Sequence, residues 1–116
     1  MFTPRPLWAE QNPQEWWAAT VNAIRSVLHD GGVKGQQVAG VGLTGQMHGL
    51  VLLDASDRVI RPALIWCDQR SQAQVDAINA LVGKATVLAC IANPVLTGFT
   101  LPKLLWVRDN EPDAFA

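Results

Sequence analysis

Two short stretches hold side chains suited to chemistry. The first is Gln46-Met47-His48-Gly49, set between the apolar runs "VAGVGL" and "GLVLLD". A neutral imidazole offers one hydrogen-bond donor and one acceptor, the combination that a ligand rich in hydroxyls can use. Methionine adds an adaptable apolar wall beside it. Gly45 and Gly49 flank the pair, where glycine allows a sharp bend and a close approach of ligand to backbone. The second stretch is Trp66-Cys67-Asp68-Gln69-Arg70, which brings an aromatic face, a carboxylate and a guanidinium close together. Both stretches also have plainer readings. A histidine between two strands is more often a turn residue than a ligand contact, and a methionine there more often fills a core. Asp68 is placed to cap a helix starting near Ser71, with Arg70 as a structural ion-pair partner. Cys67 reads as a small apolar strand residue with no neighbour that would make its thiol reactive.

The elements that must position these residues can be read from the spacing of apolar side chains. Asn12 suits an N-cap, Pro13 the first helical position and Glu15 the first turn. Trp17, Val21, Ile24 and Leu28 then recur at spacings of four, three and four, which predicts an amphipathic helix over 13–29 ended by Gly31 and Gly32. Two strands are expected near 38–43 and 49–54, followed by a turn at "DASDR" and a short strand through Val59 and Ile60. "RPALIW" reads as a further extended run. Val75, Ile78 and Leu81 mark a second helix closed by Gly83. "ATVLACIANPVLTG" is ambiguous between strand and irregular structure. Thr100 caps a last helix with Leu101, Leu104, Leu105 and Trp106 on its apolar face. Trp17 and Trp106 are expected to be buried, with Trp8 and Trp16 packing where the first helix begins. Interleaved helices and strands predict a layered α/β domain with a mixed sheet.

Composition narrows the classes. The chain has 116 residues, 49% of them hydrophobic, with nine basic and ten acidic side chains and a net charge of -1. No electrostatic footprint points to nucleic acid or to an acidic membrane surface. Aromatic and basic residues do not alternate as they would on a base-stacking platform. The two cysteines, Cys67 and Cys90, lack the paired spacing of a zinc site. No signal peptide and no apolar run of about 20 residues is visible, so a soluble cytoplasmic protein is expected.

Four stretches in order carry a family resemblance: "PLWAEQNPQEWW", "GLTGQMHGLVLLD", "RPALIWCDQRS" and "GFTLPKLLWVRDNEPDAF". Together they span Pro6 to Phe115. They resemble the xylulokinase branch of the FGGY carbohydrate kinases, and the resemblance implies a partial actin-like, ribonuclease-H-like ATPase domain. It also implies that Met47 and His48 contact a ketopentose, with Trp66 and Asp68 near the pocket and Arg70 structural. The partner implied is D-xylulose or a related ketose, phosphorylated at its terminal 5-hydroxyl with ATP and Mg2+. The binding elements for ATP and Mg2+ are absent from this sequence: there is no "DxGT" hairpin, no "GGGDN"-like segment and no "GxxxxGK[ST]" loop. The chain is therefore expected to be an internal piece of a kinase N-terminal domain. It would be inactive alone and would be completed by the remainder of the kinase. A non-catalytic binding or interaction module derived from a sugar kinase stays open, as does a kinase fragment for another ketose or polyol.

Overall fold

A computed structural model describes residues 1–116. The helix announced at Asn12 forms as α1, Pro13–Asp30. Asn12 Oδ1 accepts the backbone N–H of Gln14 at 3.0 Å, Pro13 opens the first turn and Glu15 sits beside the free amides. Gly31 caps the far end by donating to the Val27 carbonyl, and Gly32 turns the chain with φ of +61°. None of α1 is buried. Trp17 is 72% exposed and Val27 71%, so the expected burial of Trp17 does not occur. The apolar stripe is real, but no other helix or strand of the chain packs extensively against it.

The core is built around Leu64. Strand β1, Glu10–Gln11, pairs antiparallel with β2, Ala63–Leu64, in the register Glu10 to Leu64 and Gln11 to Ala63. Isolated bridges extend this ladder from Phe2 to Glu10 and from Leu50 to Leu64, and a separate one joins Leu53 to Val59. The sheet is thus antiparallel and two-stranded where a mixed sheet was expected. Residues 38–43, read as a strand, have no ladder partner and remain irregular, and 49–54 pairs only at Leu50 and Leu53. Alternating apolar residues favour extended backbone, but a strand needs a neighbour to take its N–H and C=O groups.

The turn at 54–58 forms as predicted. Asp54 accepts the N–H groups of Ser56 and Arg58 at 2.8 and 3.0 Å. These bonds, with the Arg58 guanidinium, hold its carboxyl below the ordinary carboxylate range.

Three further helices pack on and beside the ladder. Helix α2, Gln72–Val82, buries Gln74 and Val75, while Leu81 faces solvent. Gly83, at φ of +86°, breaks the chain into α3, Lys84–Ile91, so the first half of "ATVLACIANPVLTG" is helix where strand or irregular structure was expected. Helix α4, Thr100–Asn110, starts from Phe99 without a side-chain cap, so Thr100 is its first residue rather than its cap. Its buried face is Pro102, Lys103, Trp106 and Val107. Of the expected face only Trp106 is fully covered; Leu104 and Leu105 are half-buried and Leu101 is exposed. A last turn, α5, Pro112–Phe115, closes against α4.

Leu50, Leu64, Trp106 and Val107 form the continuous core, with Trp8 and Leu52 against them. No single helix is long and apolar enough to cross a membrane. The chain exposes 8349 Å², against about 6,200 Å² for a compact monomer of its mass. Its radius of gyration is 18.3 Å, against about 13 Å for a globular chain of this length. Both values describe an open, partial domain.

Candidate functional site

The site begins with a buried ion-pair strut. Asp68 is shut off from solvent. Its Oδ2 accepts the Ala9 N–H at 2.7 Å, and its Oδ1 accepts the Arg70 N–H at 3.0 Å. The Arg70 guanidinium pairs with the same carboxylate at 2.8 Å and reaches Glu10 at 2.8 Å. Glu10 also holds Arg61 at 2.6 Å, and Arg61 extends to Glu111 at 3.1 Å. Arg70 lies 3.8 Å from the Trp8 ring centroid and 4.9 Å from that of Trp106. The two rings meet edge-on at 5.3 Å. A guanidinium tolerates such burial because its planar face stacks on aromatic rings while its edge pairs with carboxylates. The strut ties the N-terminal segment to the turn after β2, and so fixes where Trp66 and Cys67 stand.

Above the strut lies a groove of about 580 Å³. It is lined by His48, by Trp66, Cys67 and Gln69 of the turn after β2, and by the segment from Leu96 to Phe99. His48 adopts a left-handed backbone with φ of +67°, a conformation that non-glycine residues enter only when their surroundings hold them there. The sharp bend is therefore made by His48 itself, whereas Gly45 and Gly49 keep ordinary φ values. The imidazole packs on the Phe99 ring with centroids 4.6 Å apart. Gly98 is obligatory for the close approach of its segment to Trp66, because a Cβ there would fall 2.7 Å from the Trp66 carbonyl oxygen.

Lys103 ties two of the lining residues together. It is completely buried, and its Nζ donates to the carbonyl of His48 at 2.8 Å and to the carbonyl of Gly98. Burial pushes its pKa down to about 8, while the charges of Asp68 and Cys67 oppose the fall.

Of the residues singled out in the sequence, the structure brings His48 and Trp66 together in one groove. Met47 stands beside it, 70% exposed and outside the lining. Asp68 lies beneath the groove with its oxygens engaged by Ala9 and Arg70. It does not cap α2, whose N-cap is Ser71 with no side-chain bond. Arg70 is engaged in ion pairs with Asp68 and Glu10, as expected. Phe99, Gly98 and Lys103 were missed. The signal for Lys103 was available, since a lysine amid "LPKLLWV" sits on a helical face that is otherwise apolar.

The groove can exchange hydrogen bonds through an imidazole and backbone carbonyls, and it can stack the apolar face of a ring or chain on Trp66 and Phe99. No three His, Cys, Asp or Glu side chains converge to hold a metal ion.

Comparison with known proteins identifies the family of the chain. The pattern of the "FGGY family of carbohydrate kinases, N-terminal domain" matches residues 1–116. Xylulose kinase of Escherichia coli is 43% identical over 112 residues, which is 97% of this chain and 22% of that protein. The crystal structure of a "xyloylose kinase" from Brucella ovis superposes with a TM-score of 0.90 at 41% identity, covering 98% of this chain and 23% of that one. The xylulose kinase structure from Rhodospirillum rubrum gives a TM-score of 0.84 at 30% identity, over 99% of this chain and 24% of that one. The fold is a partial sugar-kinase domain of the actin-like, ribonuclease-H-like ATPase type. The chain belongs to the FGGY family of carbohydrate kinases and spans under a quarter of the length of these relatives.

Proposed function

We propose that residues 1–116 form one wall of the ketose site of an ATP-dependent kinase that converts D-xylulose to D-xylulose 5-phosphate. The observation that carries the reading is the groove that unites His48 with Trp66, in a chain whose relatives are carbohydrate kinases. His48 would accept from one sugar hydroxyl and donate to another. Trp66 would cover the carbon backbone with its exposed face, and Met47 would close over the sugar from the rim. Asp68 acts from below, by fixing the turn that carries Trp66. Bound ATP with Mg2+ supplies the phosphoryl group, and its cradle belongs to other parts of such a kinase. The chain by itself is expected to bind ketose weakly and to transfer no phosphate.

The test is a chimera in which this chain replaces the aligned segment of the E. coli relative. The chimera should phosphorylate D-xylulose with Mg-ATP, and Trp66→Ala should raise the ketose KM while leaving the ATP KM unchanged. A folded chimera that is inert towards ketoses, or a Trp66→Ala effect on both constants alike, contradicts the reading.

A further inference from the structure

Lys103 is fully closed off from solvent. Lysine is almost never buried without a compensating role, and an apolar side chain of similar length would fill the same space without the cost of desolvating an ammonium. The partners of Lys103 show what the charge does. Both are backbone carbonyls, those of His48 and Gly98, two residues that line the groove and come from distant parts of the sequence. The first lies fifty-five residues away in sequence, the second five. Holding the His48 carbonyl restrains the peptide that follows its left-handed φ of +67°. Holding the Gly98 carbonyl restrains the segment whose backbone presses against Trp66 and whose next residue, Phe99, supports the imidazole at 4.6 Å.

We infer that Lys103 is a positioning residue of the groove: its ammonium joins the His48 and Gly98 carbonyls and so sets where the imidazole stands for a bound ketose. This rests on the ketose reading of the groove. The side chain touches no substrate, and it acts through the backbone of His48 and through Phe99. The charged and titratable groups that face it are Asp68 from the turn after β2 and Cys67 beside it, with the His48 ring carried on the other side of the same carbonyl. A protonated lysine makes charge-assisted bonds to the two carbonyls, roughly twice as strong as those of a neutral amine. The clamp therefore loosens as the proton leaves.

The experiment uses the same kinase chimera, with ketose and ATP constants measured for Lys103→Met and Lys103→Arg. Lys103→Met is expected to raise the ketose KM about ten-fold or more with little change in the ATP KM, and Lys103→Arg to restore part of the loss. A ketose KM within about two-fold of the parent, or ketose and ATP constants rising together, overturns the inference. Should Lys103→Met fail to fold, the unsubstituted parent decides by its pH profile. Its ketose KM should rise as pH climbs through about 8, where Lys103 loses its proton, and a flat profile overturns the clamp. Failure of the parent to use any ketose is a different result, which removes the sugar reading itself together with this inference.

Discussion

Asp68 offers the sharpest test of how the site is supported. Its carboxylate accepts the buried Ala9 N–H at 2.7 Å, the Arg70 N–H at 3.0 Å and the Arg70 guanidinium at 2.8 Å, with no exposure to solvent. Asp68→Ala removes all of these acceptors at once. An orphaned buried N–H costs about 1–3 kcal/mol, and breaking a buried ion pair from one side costs about 3–5 kcal/mol. Glu10 still lies 2.8 Å from the guanidinium and offsets part of the second cost. A net loss of about 3–4 kcal/mol is therefore expected. Asp68→Asn keeps an acceptor for Ala9 and should lose roughly half as much. Equilibrium urea unfolding of the chain, followed by tryptophan fluorescence, reads the effect, because Trp8 and Trp106 pack on Arg70 at 3.8 and 4.9 Å. With a slope of about 1–3 kcal/mol per molar urea, the midpoint of Asp68→Ala should fall by roughly 2 M. A midpoint within about 0.3 M of the parent would refute the claim that this carboxylate anchors the turn carrying Trp66.

Three further outcomes follow from the same packing. Lys103 has a pKa of about 8 in the fold against an ordinary 10.5, so the unfolded chain holds more protons between those values and stability should rise with pH across that window. The gain is about 3 kcal/mol at most, and pH-dependent unfolding of Lys103→Met should show no such rise. Gly98→Ala places a Cβ 2.7 Å from the Trp66 carbonyl; it should cost about 1–3 kcal/mol by denaturation and weaken ketose binding by widening the groove. Trp106→Ala, in the core, should cost about 3–5 kcal/mol, whereas Trp17→Ser, at a side chain 72% exposed, should change stability by about 0.5 kcal/mol or less.

Helices α1, α2 and α4 were legible because their signals are local, whereas α3 was read as strand or irregular structure. Asn12, Pro13 and the glycines at 31 and 32 marked the ends of α1, and the apolar spacing marked its body. Which face is covered was not legible, since it depends on distant neighbours. The Trp17 stripe has the right period and no partner, while α4 buries Lys103 and Val107 in preference to Leu101. The strand expected at 38–43 failed for the same reason, because extended propensity without a ladder leaves the backbone unpaired.

The site was legible in part. The residue types of Met47-His48 and Trp66 drew attention to two segments, fifteen or more residues apart in sequence, of which His48 and Trp66 line the groove. The contribution of Phe99 and Lys103, more than fifty residues from His48, could come only from the way α4 folds back on the ladder. Asp68 shows the reverse case: a carboxylate next to a pocket motif whose work is structural.

The central claim is that His48 meets the ketose. Its most direct test is the pair of Michaelis constants for His48→Ala in the kinase chimera, measured separately for D-xylulose and for ATP. The account predicts a ketose KM raised about ten-fold or more with the ATP KM little changed. Equal effects on the two constants, or no effect on either, would contradict it.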